Sequence, residues 1–259
     1  MLNLTKIPLA YFGGPKVHFL IVGAQKSGTR ALSQYLSTHP QLELSKKPEP
    51  HFFDNIASKL SAYNITKYHL NFELRPDMVR GECTPSYMYY KPALQRAQLY
   101  NPSLKLIAIL RDPVNRAYSH WNMMASTTPH ETESFERALK LEKTRIRNVP
   151  AFTRFRYSYI DRGFYSVQIK NIWQHFPKEQ TLFLKSEALK SDPQECLNHV
   201  SNFLDIPKFT NVSEQRVHAL SYTQPLTQGL RKKLISYYRE DINEVTNLLG
   251  WNCDDWLTP

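Results

Sequence analysis

The chain has only three cysteines in 259 residues, Cys83, Cys196 and Cys253, too few and too widely spaced for a disulfide framework or a CxxC metal site. They read as reduced thiols. No apolar run reaches the roughly 18 residues a membrane span needs, and Met1 to Pro15 holds no apolar core followed by a small-residue cleavage site. The sequence alone therefore predicts a cytoplasmic protein with no membrane span, in which the sequons at Asn3, Asn64 and Asn211 are chance matches. Internal repeats, linkers, low-complexity segments, an HExxH motif and paired Cys/His ligands are all missing, so neither a repeat architecture nor a metal site is expected.

With 41% hydrophobic residues, the length suits one well-buried α/β domain over residues 1–259. The formal charge of +10 favours a polyanionic partner without choosing among nucleic acid, an anionic membrane, a nucleotide or an acidic polysaccharide.

Val17 to Gly23 is a short β-branched run ending in glycine, the pattern of a buried parallel strand. Ala24 to Thr29 follows as a loop, and Arg30 to Thr38 carries apolar residues at helical spacing. The order is strand, phosphate loop, helix. Leu104 to Leu110 is a second strand closing at Arg111-Asp112-Pro113, with a helix over Val114 to Met124 for which Pro113 suits the first turn. Thr181 to Leu184 is a third strand. Gly163 to Phe176, Pro193 to Leu204 and Gly229 to Leu249 read as amphipathic helices, and Ser126 to Asn148 as an exposed helix or a mobile loop. The alternation predicts a P-loop-like α/β domain, a central parallel β-sheet flanked by helices, with ligands beyond the carboxyl ends of the strands.

Gly23 to Thr29 (GAQKSGT) has Walker-type glycine spacing, but Thr29 stands where a nucleoside triphosphatase places lysine, and the lysine lies inside the loop at Lys26. The turn N–H groups, a helix N-terminus, the Ser27 and Thr29 hydroxyls, Lys26 and Arg30 together suffice to hold a phosphate or sulfate. Leu104 to Trp121 puts Arg111 at a strand end and Ser119 two turns into the next helix.

These segments resemble the PAPS-dependent sulfotransferases, in their heparan-sulfate-type and related bacterial branch, where PAPS is 3′-phosphoadenosine 5′-phosphosulfate. QKSGTRAL (Gln25 to Leu32) is similar to the family's 5′-phosphosulfate loop and AILRDPVNRAYSHW (Ala108 to Trp121) to its 3′-phosphate segment. The resemblance implies that Lys26, Ser27, Gly28, Thr29 and Arg30 hold the phosphosulfate and that Arg111 and Ser119 hold the 3′-phosphate, with PAP as product. PEPHFFD (Pro48 to Asp54) resembles the segment carrying the catalytic glutamate, which makes Glu49 the base. His51 is a second candidate, as base or as acceptor-orienting group, and Glu82 a third; Glu82 could equally be a buried residue bracing the wall of the site. Glu49 could be partly desolvated by Phe52 and Phe53, or paired with Lys46 or Lys47 on a solvated loop. Tyr157, Tyr159, Phe164 and Tyr165 form an aromatic cluster given no role.

The likeness runs from about Val17 to Trp256, with one departure: Cys83 stands where glycosaminoglycan-modifying relatives commonly have lysine. With no signal anchor either, this weighs against an acidic polysaccharide as acceptor and leaves a small molecule or a sugar, its choice set by loops such as Ser126 to Pro150. His218 to Arg231 only weakly resembles the family's nucleotide-covering loop. The expected chemistry is metal-independent in-line displacement, Lys26 meeting the charge that grows on the leaving oxygen. Two other classes fit parts of the sequence: a magnesium-dependent kinase or ATPase on a variant loop, disfavoured by the lysine position, and a non-catalytic polyanion-binding module, disfavoured by the lack of a basic tail.

Overall fold

The computed structural model describes residues 16–55, 60–73, 75–127, 131–149, 151–210, 212 and 226–259. Five parallel strands form one sheet in the order β2-β3-β1-β4-β5: β1 (Phe19–Gly23), β2 (Leu42–Leu44), β3 (Val79–Cys83), β4 (Lys105–Leu110) and β5 (Thr181–Lys185). With β1 in the middle, the chain crosses first to the edge strand β2, returns to β3 beside β1, and then passes to β4 and β5 on the other side. The strand order thus reverses at β1, the place where open α/β sheets leave a crevice.

Strand alternation explains why both faces are covered. Leu20, Val22, Leu106, Ala108 and Leu110 join one buried cluster, whereas Phe19, Ile21, Ile107 and Ile109 join another. Helix α1 (Thr29–Leu36) lies with the second cluster through Leu32 and Leu36, and α8 (Pro193–Leu204) through Leu197 and Val200. On the first face sit α3 (Lys91–Tyr100), α4 (Pro113–Thr127), α6 (Tyr165–His175) and the long α9 (Gln228–Leu249), through residues such as Leu94, Val114, Ile169 and Ile242. The remaining helices are α2 (Ala62–His69), α5 (Phe135–Asn148) and α7 (Ser186–Ser191). Among the described residues no helix is long and apolar enough to cross a membrane.

The expected strands at the first and second motifs and at Thr181 are present, as are the helices after them. Two strands, β2 and β3, carry no apolar run and are not apparent from the sequence. Their interior is polar: Glu43 and Arg80 are buried and pair at 3.0 Å, and Glu82 is fully buried. The stretch expected as an exposed helix or a mobile loop is a helix from Phe135, whose N-cap Ser134 accepts a hydrogen bond from the Arg137 N–H. His218 to Pro225 lies outside the described residues, while Arg231 at the end of the same stretch belongs to α9.

Candidate active site

Every residue singled out for the site stands at a carboxyl end of the sheet or just beyond it. The loop after β1 turns back on itself, with the Ser27 N–H bonded to the Ala24 carbonyl at 3.1 Å and the Ala24 N–H to Ile109 of β4 at 2.8 Å. Gly23 lets this loop pass Met88: a Cβ there would come within 2.7 Å of the methionine Cβ. Gly28 is the N-cap of α1 at φ 102°, a left-handed conformation that glycine adopts freely.

That N-cap has no side chain, so it gives α1 no capping hydrogen bond, and the first turn contains no acidic residue. Among the other helices, α2, α5, α8 and α9 are capped by Ser61, Ser134, Asp192 and Thr227, whereas α3, α6 and α7, like α1, have no capping side chain at the N-cap. The N–H groups at the start of a helix have no intrahelical partner and carry roughly half a unit of positive charge. At α1 they are left for something other than a capping side chain. Ser27 and Thr29 are buried there, Lys26 is half-buried at φ 71°, and Arg30 is exposed on the first turn.

The segment after β4 closes one side of this cradle. Arg111 is half-buried; its Nη1 donates to the Lys26 carbonyl at 3.4 Å, and its buried Nε has no hydrogen-bond partner among the described residues. Asp112 caps α4, accepting from the N–H groups of Val114 at 2.8 Å and Asn115 at 3.2 Å, and pairs with Arg231 of α9 at 2.8 Å. Ser119 is half-buried further along α4. The Tyr165 hydroxyl donates to the Arg111 carbonyl at 2.9 Å and lies against Ser27; burial pushes this phenol up to about 12, so it stays a neutral donor. The aromatic cluster thus divides: Tyr159 and Tyr165 are fully buried, and Tyr165 braces the site. Arg162, also buried, donates to the Gln25 side chain at 2.7 Å and lies over the Tyr89 ring, tying the first motif to the segment before α6.

The loop after β2 supplies the carboxylates. Glu49 and His51 both have positive φ, 48° and 54°, a strain of about 1 kcal/mol or more for each such residue. Glu49 does not pair with Lys46 or Lys47: Lys46 pairs with Glu73, and the Lys47 ammonium donates to the Pro50 carbonyl. Its partner is His51, Nε2 to Oε2 at 3.4 Å. Phe52 and Phe53 do not cover Glu49: both rings turn inward, Phe52 stacked on Tyr68 and Phe53 edge-on to Tyr87, while Glu49 stays half-exposed. On its other side, His51 Nδ1 lies 2.9 Å from Asp54, which also accepts from the Ser86 hydroxyl. Bonding to Asp54, then to Glu49, pushes the imidazole up to about 10. His51 is therefore an imidazolium at neutral pH.

Glu82 on β3 is sealed from solvent and accepts from the hydroxyls of Tyr68 at 3.1 Å, Tyr87 at 2.8 Å and Thr84 at 2.6 Å. Burial pushes its carboxyl up to about 7, against the pull of those three donors. Cys83 lies between the two halves of the site: its sulfur is 3.8 Å from the Thr29 carbonyl, and burial, with the charges of Glu49 and Glu82, pushes the thiol up and keeps it protonated. The structure therefore brings Glu49, His51, Cys83 and the phosphate-loop end of α1 together. Roles for Ser86, Tyr87 and Tyr165 escape sequence reasoning, since their signal is a hydrogen bond across 30 residues or more, and that of Asp54 is a bond to His51 three residues away that residue types alone do not disclose.

Residues 16–242 match the family model described as a sulfotransferase domain. The chain is 34% identical over 194 residues to heparan sulfate glucosamine 3-O-sulfotransferase 3B1 of Mus musculus, covering 73% of this chain and 46% of that protein. To heparan sulfate glucosamine 3-O-sulfotransferase 6 of Homo sapiens it is 34% identical over 193 residues, 73% of this chain and 52% of the other. It spans about half the length of these curated relatives. Among solved structures, a sulfotransferase from Alicyclobacillus acidocaldarius superposes with a TM-score of 0.77 at 26% identity, over 94% of this chain and 100% of that one. The match covers both the loop before α1 and the segment after β4, and this chain belongs to the sulfotransferase family.

Proposed function

We propose that the chain transfers a sulfuryl group from PAPS to a hydroxyl or amine of a small-molecule or carbohydrate acceptor, within one domain. The observation that carries this reading is the N-terminus of α1 with no capping side chain, with Lys26 and Arg111 beside it and Cys83, whose thiol touches the Thr29 carbonyl and feels the charge of Glu49. The cradle fits the donor: a helix start with free N–H groups for the phosphosulfate, and a buried guanidinium Nε with a donor to spare for the 3′-phosphate. PAPS supplies the activated sulfuryl group and a phosphate leaving group.

In this reading Ser27, Gly28, Thr29 and Arg30 bind the phosphosulfate, Arg111 and Ser119 bind the 3′-phosphate, and Lys26 faces the bridging oxygen on which charge grows. Lys26 and the helix start supply the countercharge at the reacting centre, so transfer is expected to persist in EDTA. Glu49 accepts the acceptor's proton. His51 already carries a proton and orients Glu49; Glu82 is walled off by hydroxyls and does not meet the acceptor. The rate comes chiefly from placement of acceptor and donor in line. A carbohydrate hydroxyl accords with the names of the related 3-O-sulfotransferases, while neutral Cys83 beside Glu49 favours an acceptor group without negative charge.

The test is transfer of labelled sulfuryl from PAPS to a panel of sugars, alcohols and amines. A product made by the wild type and lost by a factor of 100 or more in Glu49→Gln, which should still bind PAP, supports the reading. Undiminished transfer by Glu49→Gln contradicts the assignment of the base.

A further inference from the structure

The loop that carries Glu49 has no helix or strand of its own, and the backbone conformation at Glu49 and His51 is one that these residues rarely adopt. Something outside the loop holds it. The Phe52 N–H donates to the Tyr87 hydroxyl at 2.9 Å, the Phe53 N–H to the same oxygen at 3.3 Å, and the His51 N–H reaches Thr84 Oγ1 at 3.5 Å. Tyr87 and Thr84 can serve as acceptors here because their own protons point elsewhere, both toward Glu82. An ionised carboxylate has no proton to give, so it fixes the direction of every hydroxyl around it. Three consecutive amides of the loop therefore rest on two hydroxyl oxygens whose orientation is set by one buried carboxylate. On the loop's far side Arg96 donates to the carbonyls of Asn55 at 2.9 Å and Phe52 at 3.4 Å.

We propose that Glu82 is a positioning residue: by turning the Tyr87 and Thr84 hydroxyls toward itself it holds the amides of His51, Phe52 and Phe53, and through them the Glu49–His51 pair at the mouth of the site. The functional meaning of this rests on the reading of Glu49 as base; the structural relay does not. Tyr68 also donates to Glu82 but receives no hydrogen bond from the loop amides, which makes it the internal control. The groups facing the His51 ring are Glu49, Asp54 and the Ser86 hydroxyl. Those facing Glu82 are Tyr68, Thr84 and Tyr87, with Asp54, Cys83 and Tyr100 near enough to sense its charge. A proton arriving on Glu82 turns one acceptor oxygen into a donor and releases one hydroxyl, so the relay is complete only in the ionised form.

The experiment uses the full chain and needs no acceptor: amide hydrogen exchange at Phe52 and NMR titration of the His51 imidazole, in wild type, Glu82→Gln, Tyr87→Phe and Tyr68→Phe. In Glu82→Gln and Tyr87→Phe we expect Phe52 exchange at least about tenfold faster and His51 titrating toward 6.5 instead of about 10. PAP affinity should stay within about twofold of wild type, and Tyr68→Phe should leave both loop readouts unchanged. If Glu82→Gln does not fold, Tyr87→Phe carries the comparison alone. Unchanged Phe52 exchange and His51 titration in the folded variants would overturn the proposal, as would an equal effect of Tyr68→Phe, which would make the network a general prop. A wild type that fails to bind PAP would sink the donor assignment while leaving the loop readouts intact, so the two failures are told apart.

Discussion

Arg111, at the end of β4, reaches back over the loop after β1 and donates to the carbonyl of Lys26 at 3.4 Å. Through this contact the two segments recognised separately in the sequence form one wall, with the guanidinium on one side of the α1 N-terminus and the lysine in front of it.

Gly28→Ala isolates the backbone's part in that wall. The added Cβ would meet nothing closer than the Ser186 hydroxyl at 3.5 Å, an ordinary contact, so the cost lies in the φ of 102°. A loss of about 1–2 kcal/mol in urea unfolding is expected. PAP binding should weaken as well, because relaxation of the turn swings the first N–H groups of α1 out of line.

Asp112→Ala removes a helix cap and the counter-charge of Arg231, whose mostly buried guanidinium keeps only the Thr258 carbonyl as acceptor. Capping accounts for about 1 kcal/mol and the lost counter-charge for somewhat more, giving a total of about 2–3 kcal/mol. Urea denaturation measures it. A loss below about 0.5 kcal/mol would mean that α9 does not lean on this residue.

His51 gives a pH dependence with a definite sign. Its folded value is raised from 6.5 to about 10, so its contribution is fully present below pH 6.5 and is lost as pH rises through about 10. The stability advantage of wild type over His51→Gln should therefore shrink between pH 7 and pH 10, followed by denaturant unfolding at fixed salt. Because the ring is half-exposed, added salt should shrink it too.

What the sequence discloses and what it hides follow from the same physics. β1 and β4 announce themselves because their side chains are apolar on both faces, and the glycine and proline at their ends mark the turns. β2 and β3 are hidden because Glu43, Arg80 and Glu82 put buried charge inside strands, and only the pairing of the first two and the three hydroxyls on the third make that tolerable. For the site, residue types nominate Lys26 and His51, whereas Arg111 and Glu49 take their roles from the family resemblance. Residue types could not divide the work among Glu49, His51 and Glu82, which depends on whether each meets solvent, a carboxylate or a hydroxyl.

The donor assignment is the central claim, and calorimetric titration of PAP into wild type and Arg111→Ala, with ATP and magnesium as the comparison ligand, tests it most directly. The account predicts tight PAP binding, far weaker binding of ATP, and a loss of at least about 100-fold in Arg111→Ala, since a charge-assisted, bidentate phosphate contact would be removed. PAP that binds no better than ATP, or equally well to both proteins, would contradict it.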